Sequence, residues 1–264
     1  MTRQSFRSSM KKAIKATLEK TAVGRSALNR YLVFRTSQAA KQSTVDLQAQ
    51  LEQSERGLES VGQWWNRCHS ENEEFGYWLT GSSGSQVWSS LNVEDRIGPG
   101  TTVLNIGVGQ GHCTRGLVEL GCRVHALDIS PVALKRISDC VIAVWLPSQL
   151  HDLPSDTFDL AISHLVAQHM SDADLNQQIR EVVRSLKADG VFAMQFAFCL
   201  SGNDKDIEET PGALKAGSIR RSLETVKSMI TNAGGRLVWS TKIAEFPEHN
   251  AGWYAVNIQR QVES

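Results

Sequence analysis

The segment Gly107-Val108-Gly109-Gln110-Gly111 is the part of the sequence best suited to hold a ligand against bare main chain. It follows a short apolar run, Val103-Leu104-Asn105-Ile106, that reads as a buried strand, and it leads into a helical pattern. A side chain in such a turn would fill the space a cofactor needs at the strand's carboxyl end, so glycine there has a physical reason. The dinucleotide fingerprint GxGxxG would place its third glycine at position 112, which is His112; here the glycine stands at 111. Asp128 closes the next apolar run, Ala126-Leu127, about twenty residues downstream, where a carboxylate accepts both hydroxyls of a ribose. Further on, His164 and His169 bring imidazoles, which titrate near neutrality, to the end of a fourth strand. No set of cysteines, histidines and acids has metal-ligand spacing, and no metal is expected; Asp172 and Asp174 read as acids at a helix N-terminus.

The GxGxG spacing resembles motif I of the class I S-adenosylmethionine-dependent methyltransferases, in which the loop wraps an amino-acid tail and a ribose rather than a phosphate. Three later segments continue the likeness in order. Leu153-Pro154-Ser155-Asp156-Thr157-Phe158-Asp159-Leu160 resembles the family's segment before strand four. Ser163-His164-Leu165-Val166-Ala167-Gln168-His169-Met170 resembles its post-strand loop ending in Gln-His. Arg184-Ser185-Leu186-Lys187-Ala188-Asp189-Gly190 resembles Arg-x-Leu-Lys-Pro-Gly-Gly, with Ala188 and Asp189 in place of Pro and Gly. Residues 101–200 carry the resemblance. It implies S-adenosylmethionine as cofactor, held by Asn105, Gly107, Gly109, Gly111, Asp128, Ile129, Gln149, Leu150, Ser163 and His164, with Ile129 against the adenine. Two positions depart from the pattern. Asn105 replaces an acid that would pair with the cofactor's positive groups, and Gln149 replaces one that would meet the adenine amino group. A non-catalytic cofactor-binding scaffold is therefore an alternative reading.

Methyl transfer is an in-line displacement from an activated donor, so the protein aligns the acceptor and removes its proton. His169 is the candidate general base; the competing role is to shape the pocket or cap the next helix. His164 lies nearer the strand end and lines the pocket, and Gln195 either faces the acceptor or sits within the sheet. The order of elements resembles methyltransferases of bacterial surface-polysaccharide biosynthesis, which implies a sugar hydroxyl or other glycan acceptor. A small lipophilic metabolite beneath an aromatic lid is the alternative. No Asn-Pro-Pro-Tyr-like tetrapeptide follows strand four, so nucleic acid is not expected as a partner.

The elements that must position these groups alternate. Strands are expected at Thr102–Ile106, Arg123–Leu127, Val141–Leu146, Phe158–Ser163 and Val191–Phe198, with helices at 112–120, after Ser130-Pro131, at 172–186 and at 218–232. Leu237–Phe246 and Trp253–Gln259 read as a closing antiparallel pair. The expected fold is α/β: a Rossmann-like seven-stranded mixed sheet, last strand antiparallel, with helices on both faces and a helical N-terminal extension.

The 264 residues are 41% hydrophobic and 21% charged, in keeping with a globular core, and Lys+Arg balance Asp+Glu at 28 each. Residues 1–35 nevertheless hold nine basic side chains against one acid, Glu19. Within them Phe6, Met10, Ile14 and Leu18 recur every fourth residue, which predicts an amphipathic helix and peripheral contact with an anionic membrane through residues 1–35. Leu47, Leu51, Ser54, Leu58 and Val61 form a short heptad stripe with one polar member, so residues 44–62 are a candidate homodimer contact. Trp64, Trp65, Phe75, Tyr77, Trp78 and Trp88 suggest a cap. The expected organisation is a basic extension over 1–62, an aromatic cap and linker over 63–100, and a cofactor domain over 101–262. Cysteines without paired spacing and the lack of an apolar signal core point to a cytoplasmic protein, with the inner membrane face as a peripheral location.

Overall fold

A computed structural model describes residues 60–70, 84–201 and 209–261. All of them belong to one of the two compact units of the chain, Glu55–Ser264. The expectations for residues 1–35, for most of 44–62, and for Phe75, Tyr77 and Trp78 lie outside the described residues. In chain order the elements are α1 (Val61–Ser70), α2 (Gly84–Ser90), β1 (Thr102–Ile106), α3 (His112–Glu119), β2 (Arg123–Leu127), α4 (Pro131–Lys135), β3 (Ala143–Trp145), β4 (Phe158–Ser163), α5 (Asp172–Ser185), β5 (Leu186–Cys199), α6 (Pro211–Ala216), α7 (Leu223–Asn232), β6 (Gly235–Phe246) and β7 (Ala251–Arg260). Short 3-10 turns occupy Glu94–Arg96, Pro147–Asp152, Ala167–His169 and Pro247–His249.

The sheet order is β3-β2-β1-β4-β5-β7-β6. Strands β1 to β5 run parallel, and β7 pairs antiparallel with both β5 and β6. The chain builds outward from β1 through β2 to β3, then returns to the other side of β1 for β4. That reversal opens a crevice at the carboxyl ends of β1 and β4, the place where open α/β sheets bind ligands. Ile106 ends β1 level with Leu127 of β2 and Ser163 of β4, so the loops that follow all leave one edge.

β1 and β4 are buried on both sides and therefore read as nearly unbroken apolar runs. On one face Leu104, Ile106, Phe192, Met194 and Phe196 pack with Leu175, Ile179 and Val182 of α5 and with Val226 and Ile230 of α7. On the other, Val103, Val124, Leu160 and Ile162 pack with Leu117 of α3 and with Val87, Trp88 and Leu91. Each fully buried apolar side chain contributes about 1.5–3 kcal/mol.

The second face alters the domain reading. Trp88 belongs to the sheet's own core, and its Nε1 donates to Cys113 Sγ at 3.3 Å, so it does not cap from outside. The boundary drawn at residues 100 and 101 thus falls inside one packed body, and that at 62 and 63 falls inside α1. Three secondary-structure expectations also shift. The third strand shortens to three residues at the sheet edge. α5 runs directly into β5, because Leu186 already pairs with Phe158 before the irregularity that precedes Leu160. The helix expected over 218–232 begins only at Leu223, capped by Ser222, whose side chain accepts from the Thr225 amide; Gly217, left-handed at φ 66°, ends the separate helix α6.

Candidate active site

The three loop glycines have different reasons. All take positive φ: 74° at Gly107, 53° at Gly109 and 83° at Gly111. A Cβ on Gly107 would collide with Val166, and one on Gly111 with Ile137, so those positions are bare because protein fills the space. A Cβ on Gly109 would meet nothing within 4 Å. Only at Gly109 does the missing side chain open room for a ligand, which narrows the expectation that all three glycines clear the site.

Asp128 stands directly behind that opening and is 6% exposed. Its Oδ2 accepts the Gly109 amide at 3.2 Å and its Oδ1 accepts the Ser130 amide at 2.8 Å. Burial pushes its carboxyl up to about 6, against the opposing effect of these amides. The Val108 and Ile129 amides also bear on this carboxylate, so main-chain N–H groups fix its orientation at the opening. Ile129, next in sequence, is 39% exposed and lies beside Gly62 of α1. The residues present thus fit a nucleoside: open main chain at Gly109, a buried acid and an adjacent apolar surface.

The side chains of three expected cofactor-binding residues are engaged within the protein. Asn105 is buried, and its Nδ2 donates to Thr114 Oγ1 at 2.7 Å, so the amide ties β1 to α3. Gln149 is exposed, and its Oε1 accepts the Leu146 amide at 2.9 Å; that oxygen caps its own turn and is engaged before any adenine arrives. Leu150 is buried in the core with Leu127 and Leu153, so its side chain is packing. The reasons are local: a polar side chain near a helix start or turn finds a main-chain or hydroxyl partner first.

At the end of β4 the arrangement is different. Ser163 is buried, and its Oγ has no hydrogen-bond partner. His164 is half-buried, makes no hydrogen bond with any described residue, and is lowered to about 4 by burial, so it is neutral at physiological pH. Leu165 then takes φ 59° while exposed, a strained conformation for a branched residue, at the rim of the crevice.

His169 is anchored through one ring nitrogen. Its Nδ1 donates to the Leu214 carbonyl at 2.9 Å, and the ring sits where a Cβ of Gly217 would be. Trp65 of α1 meets it edge-on, with centroids 4.8 Å apart. Burial lowers it to about 4, against the carbonyls of Leu214 and Lys215. The geometry is that of an imidazole joining the loop after β4 to the end of α6, whereas the next helix, α5, is capped by Ser171. Gln195 is buried on β5 opposite Ala255, and its Oε1 is without a partner.

Sequence reasoning missed what α1 does. Asn66 Oδ1 accepts from Ser130 Oγ at 3.1 Å and from the Val132 amide at 3.2 Å. Arg136 donates to the His69 carbonyl. With Trp65 on His169 at the far side, α1 spans the crevice from the end of β2 to the loop after β4. Trp64-Trp65 was the signal available; Asn66 carried none. Among the described residues no group of three His, Cys, Asp or Glu is assembled to hold a metal, and no helix is long and apolar enough to cross a membrane.

Comparison with known proteins agrees with this geometry. Residues 104–194 match the family model described as a methyltransferase domain. An uncharacterised methyltransferase of Synechocystis sp. is 35% identical over 115 residues, 42% of this chain and 54% of that protein. A malonyl-[acyl-carrier protein] O-methyltransferase of Halorhodospira halophila is 36% identical over 105 residues, 36% of this chain and 34% of that protein. The chain thus spans about half and one third of the lengths of these two relatives. Among solved structures, phosphoethanolamine N-methyltransferase 2 of Haemonchus contortus, in complex with phosphomonomethylethanolamine and S-adenosylhomocysteine, superposes with a TM-score of 0.59 at 18% identity, over 77% of this chain and 61% of that one. Residues 104–194 are therefore a match to the methyltransferase domain, laid on the Rossmann-like seven-stranded sheet that such enzymes share.

Proposed function

We propose that this chain transfers a methyl group from S-adenosylmethionine to a small acceptor bound at the carboxyl edge of β4 and β5. The bound cofactor supplies a methyl group already activated on a sulfonium sulfur. The observation that carries the reading is the open space over Gly109 with the buried Asp128 carboxylate behind it. The chain's own part is positional. Asp128 receives the ribose, Ile129 and α1 wall the adenine side, and the uncharged imidazole of His164 faces the acceptor without repelling a sulfonium. His169 is fixed by its bond to Leu214, and His164, which makes no hydrogen bond with any described residue, is the imidazole assigned here to accept a proton or hydrogen bond from the acceptor.

A sugar hydroxyl is the acceptor that the sequence resemblance implies, and it forms the finer part of this proposal. The relatives' names support methyl transfer more broadly, since one acts on a malonyl oxygen and another is bound to a phosphorylated amine. The test is calorimetry with S-adenosylmethionine and S-adenosylhomocysteine, followed by release of labelled methyl to free and activated sugars. Absence of binding by either nucleoside rejects the enzyme reading. Tight binding without turnover on any acceptor supports the scaffold, a reading to which the neutral Asn105 contributes.

A further inference from the structure

Among the described residues, four besides glycine hold a left-handed backbone: Asn92 at φ 55°, Asp156 at 50°, Leu165 at 59° and Asn250 at 47°. Three of these are Asn or Asp, which tolerate the conformation because a short polar side chain can bond locally. Leu165 is the exception. The left-handed backbone presses its Cβ toward the following carbonyl oxygen, and a leucine has no local bond to set against that. Its side chain is also 41% exposed, so burial within the protein offsets little of the strain. A glycine or an asparagine would hold the same turn more easily.

The strain is imposed from both sides. Before Leu165, Ser163 is buried and in register with Ile106 of β1 and Met194 of β5. After it, Val166 packs beneath the glycine turn, where a Cβ on Gly107 would collide with its side chain. Ala167 is fully buried, and its carbonyl accepts Arg221 Nη1 at 2.9 Å. The Val166 carbonyl accepts the His169 amide at 2.9 Å. Strain of this kind persists only where the surroundings fix it, and it gathers at ligand sites. Leu165 therefore stands one residue from the contact with Gly107 and next to His164, with its isobutyl group in solvent. The segment Ser163–Met170 holds no acid, lysine or arginine, and both of its imidazoles are kept neutral by burial.

Resting on the methyl-transfer reading, we propose that Leu165 is a specificity-determining residue: its strained backbone holds an apolar side chain at the crevice mouth against a hydrocarbon surface of the methyl acceptor. The acceptor is then an uncharged molecule with an alkyl or aryl group beside its nucleophilic atom. The sugar reading accordingly requires a sugar with an apolar substituent next to the methylated hydroxyl. Leu165 acts in binding rather than in chemistry, so its loss shows in acceptor affinity.

The test uses the full chain with and without saturating S-adenosylhomocysteine. The probes are cyclohexanol, phenol and myo-inositol, three hydroxylated rings of one size that differ in polarity, with binding followed by saturation-transfer NMR. The wild type should bind cyclohexanol or phenol about tenfold more tightly than myo-inositol, which corresponds to about 1.4 kcal/mol or about 55 Å² of apolar surface. The stronger of the two probes tells an alkyl from an aryl group. Leu165→Asn and Leu165→Gly should lose this preference, and Leu165→Met should keep most of it. Leu165→Asn also relieves the backbone, so its melting temperature should rise by about 2–4 °C. A fold that needed the leucine would respond in the opposite way. No preference in the wild type, an equal preference in Leu165→Asn, or a lower melting temperature of that variant overturns the proposal. Lack of S-adenosylhomocysteine binding by the wild type counts against the methyl-transfer reading instead, and the probes without nucleoside then still judge Leu165.

Discussion

Gly109→Ala separates the two reasons a glycine occupies this loop. The new methyl group meets nothing within 4 Å, so the folded protein bears only the cost of an L-residue at φ 53°. That cost is about 1–2 kcal/mol, which for a domain of this size lowers the melting temperature by about 2–8 °C. Gly107→Ala bears the same conformational cost and also drives a methyl into Val166. Overpacking adds about 1–3 kcal/mol, so its total is about 2–5 kcal/mol. Cofactor affinity should show the opposite ranking per unit of stability lost. If S-adenosylmethionine lies against Gly109, the methyl of Gly109→Ala occupies its volume. Binding then weakens by about ten- to a hundredfold, the same steric cost now carried by the complex. Urea unfolding gives the stabilities, and isothermal titration with S-adenosylhomocysteine gives the affinities. Wild-type affinity in Gly109→Ala would mean that the opening is not the cofactor's, and the reasoning from bare main chain would be refuted.

Two further predictions concern charge and the histidines. Asp128 is raised to about 6, so cofactor affinity should be flat above neutrality and fall by up to about tenfold per unit below pH 6; titration from pH 5 to 8 should show this dependence and its loss in Asp128→Asn. The same shift stabilises the unliganded fold below about pH 4 and is lost as pH rises through 6, about 3 kcal/mol in all, whereas the lowered His69, His164 and His169 act in the opposite sense, with stability lost as pH falls from 6.5 toward 4. On acidification from pH 6 to 4, Asp128→Asn lacks this gain and should therefore lose more stability than the wild type does, as unfolding measured across that range will show. His169→Ala should cost about 1–3 kcal/mol of stability through the Leu214 bond, while His164→Ala leaves stability near wild type and lowers kcat; a larger kcat loss in a stable His169→Ala protein would return the base role to His169.

Much of the frame was legible because β1, β2 and β4 are short, mostly apolar runs between turn residues, and their ends fall where the sequence placed them. The cap at Ser130-Pro131 was legible for a similar reason, since the Ser130 hydroxyl accepts the Ala133 amide within four residues. The misplaced features depend on partners remote in sequence. The anchoring of His169 comes from Leu214 and Gly217, some fifty residues on, which fold against it. Trp88 looks like a lid until α3 brings Cys113 beneath it. Gln149 and Asn105 were assigned to a ligand by their position in a motif, yet each satisfies a nearby protein group first.

α1 makes the strongest demand on the proposed site, because it precedes the matched segment 104–194 and still closes its crevice. Asn66 is the joint. One side-chain oxygen accepts both the Ser130 hydroxyl and the Val132 amide, at the turn that also carries Asp128 and Ile129. Asn66→Ala leaves both donors without their acceptor, at about 1–3 kcal/mol. The sheet does not depend on that joint, so the loss should appear as local opening rather than global unfolding. Amide exchange should quicken in α1 and around Ser130–Ala133 while the exchange of β4 and β5 is unchanged. If the nucleoside fills the space between Gly109 and α1, S-adenosylhomocysteine should slow exchange in α1 of the wild type and do so less in Asn66→Ala. Exchange in α1 that ignores both the substitution and the nucleoside would show that this helix does not form a wall of the site, and that the matched domain works without it.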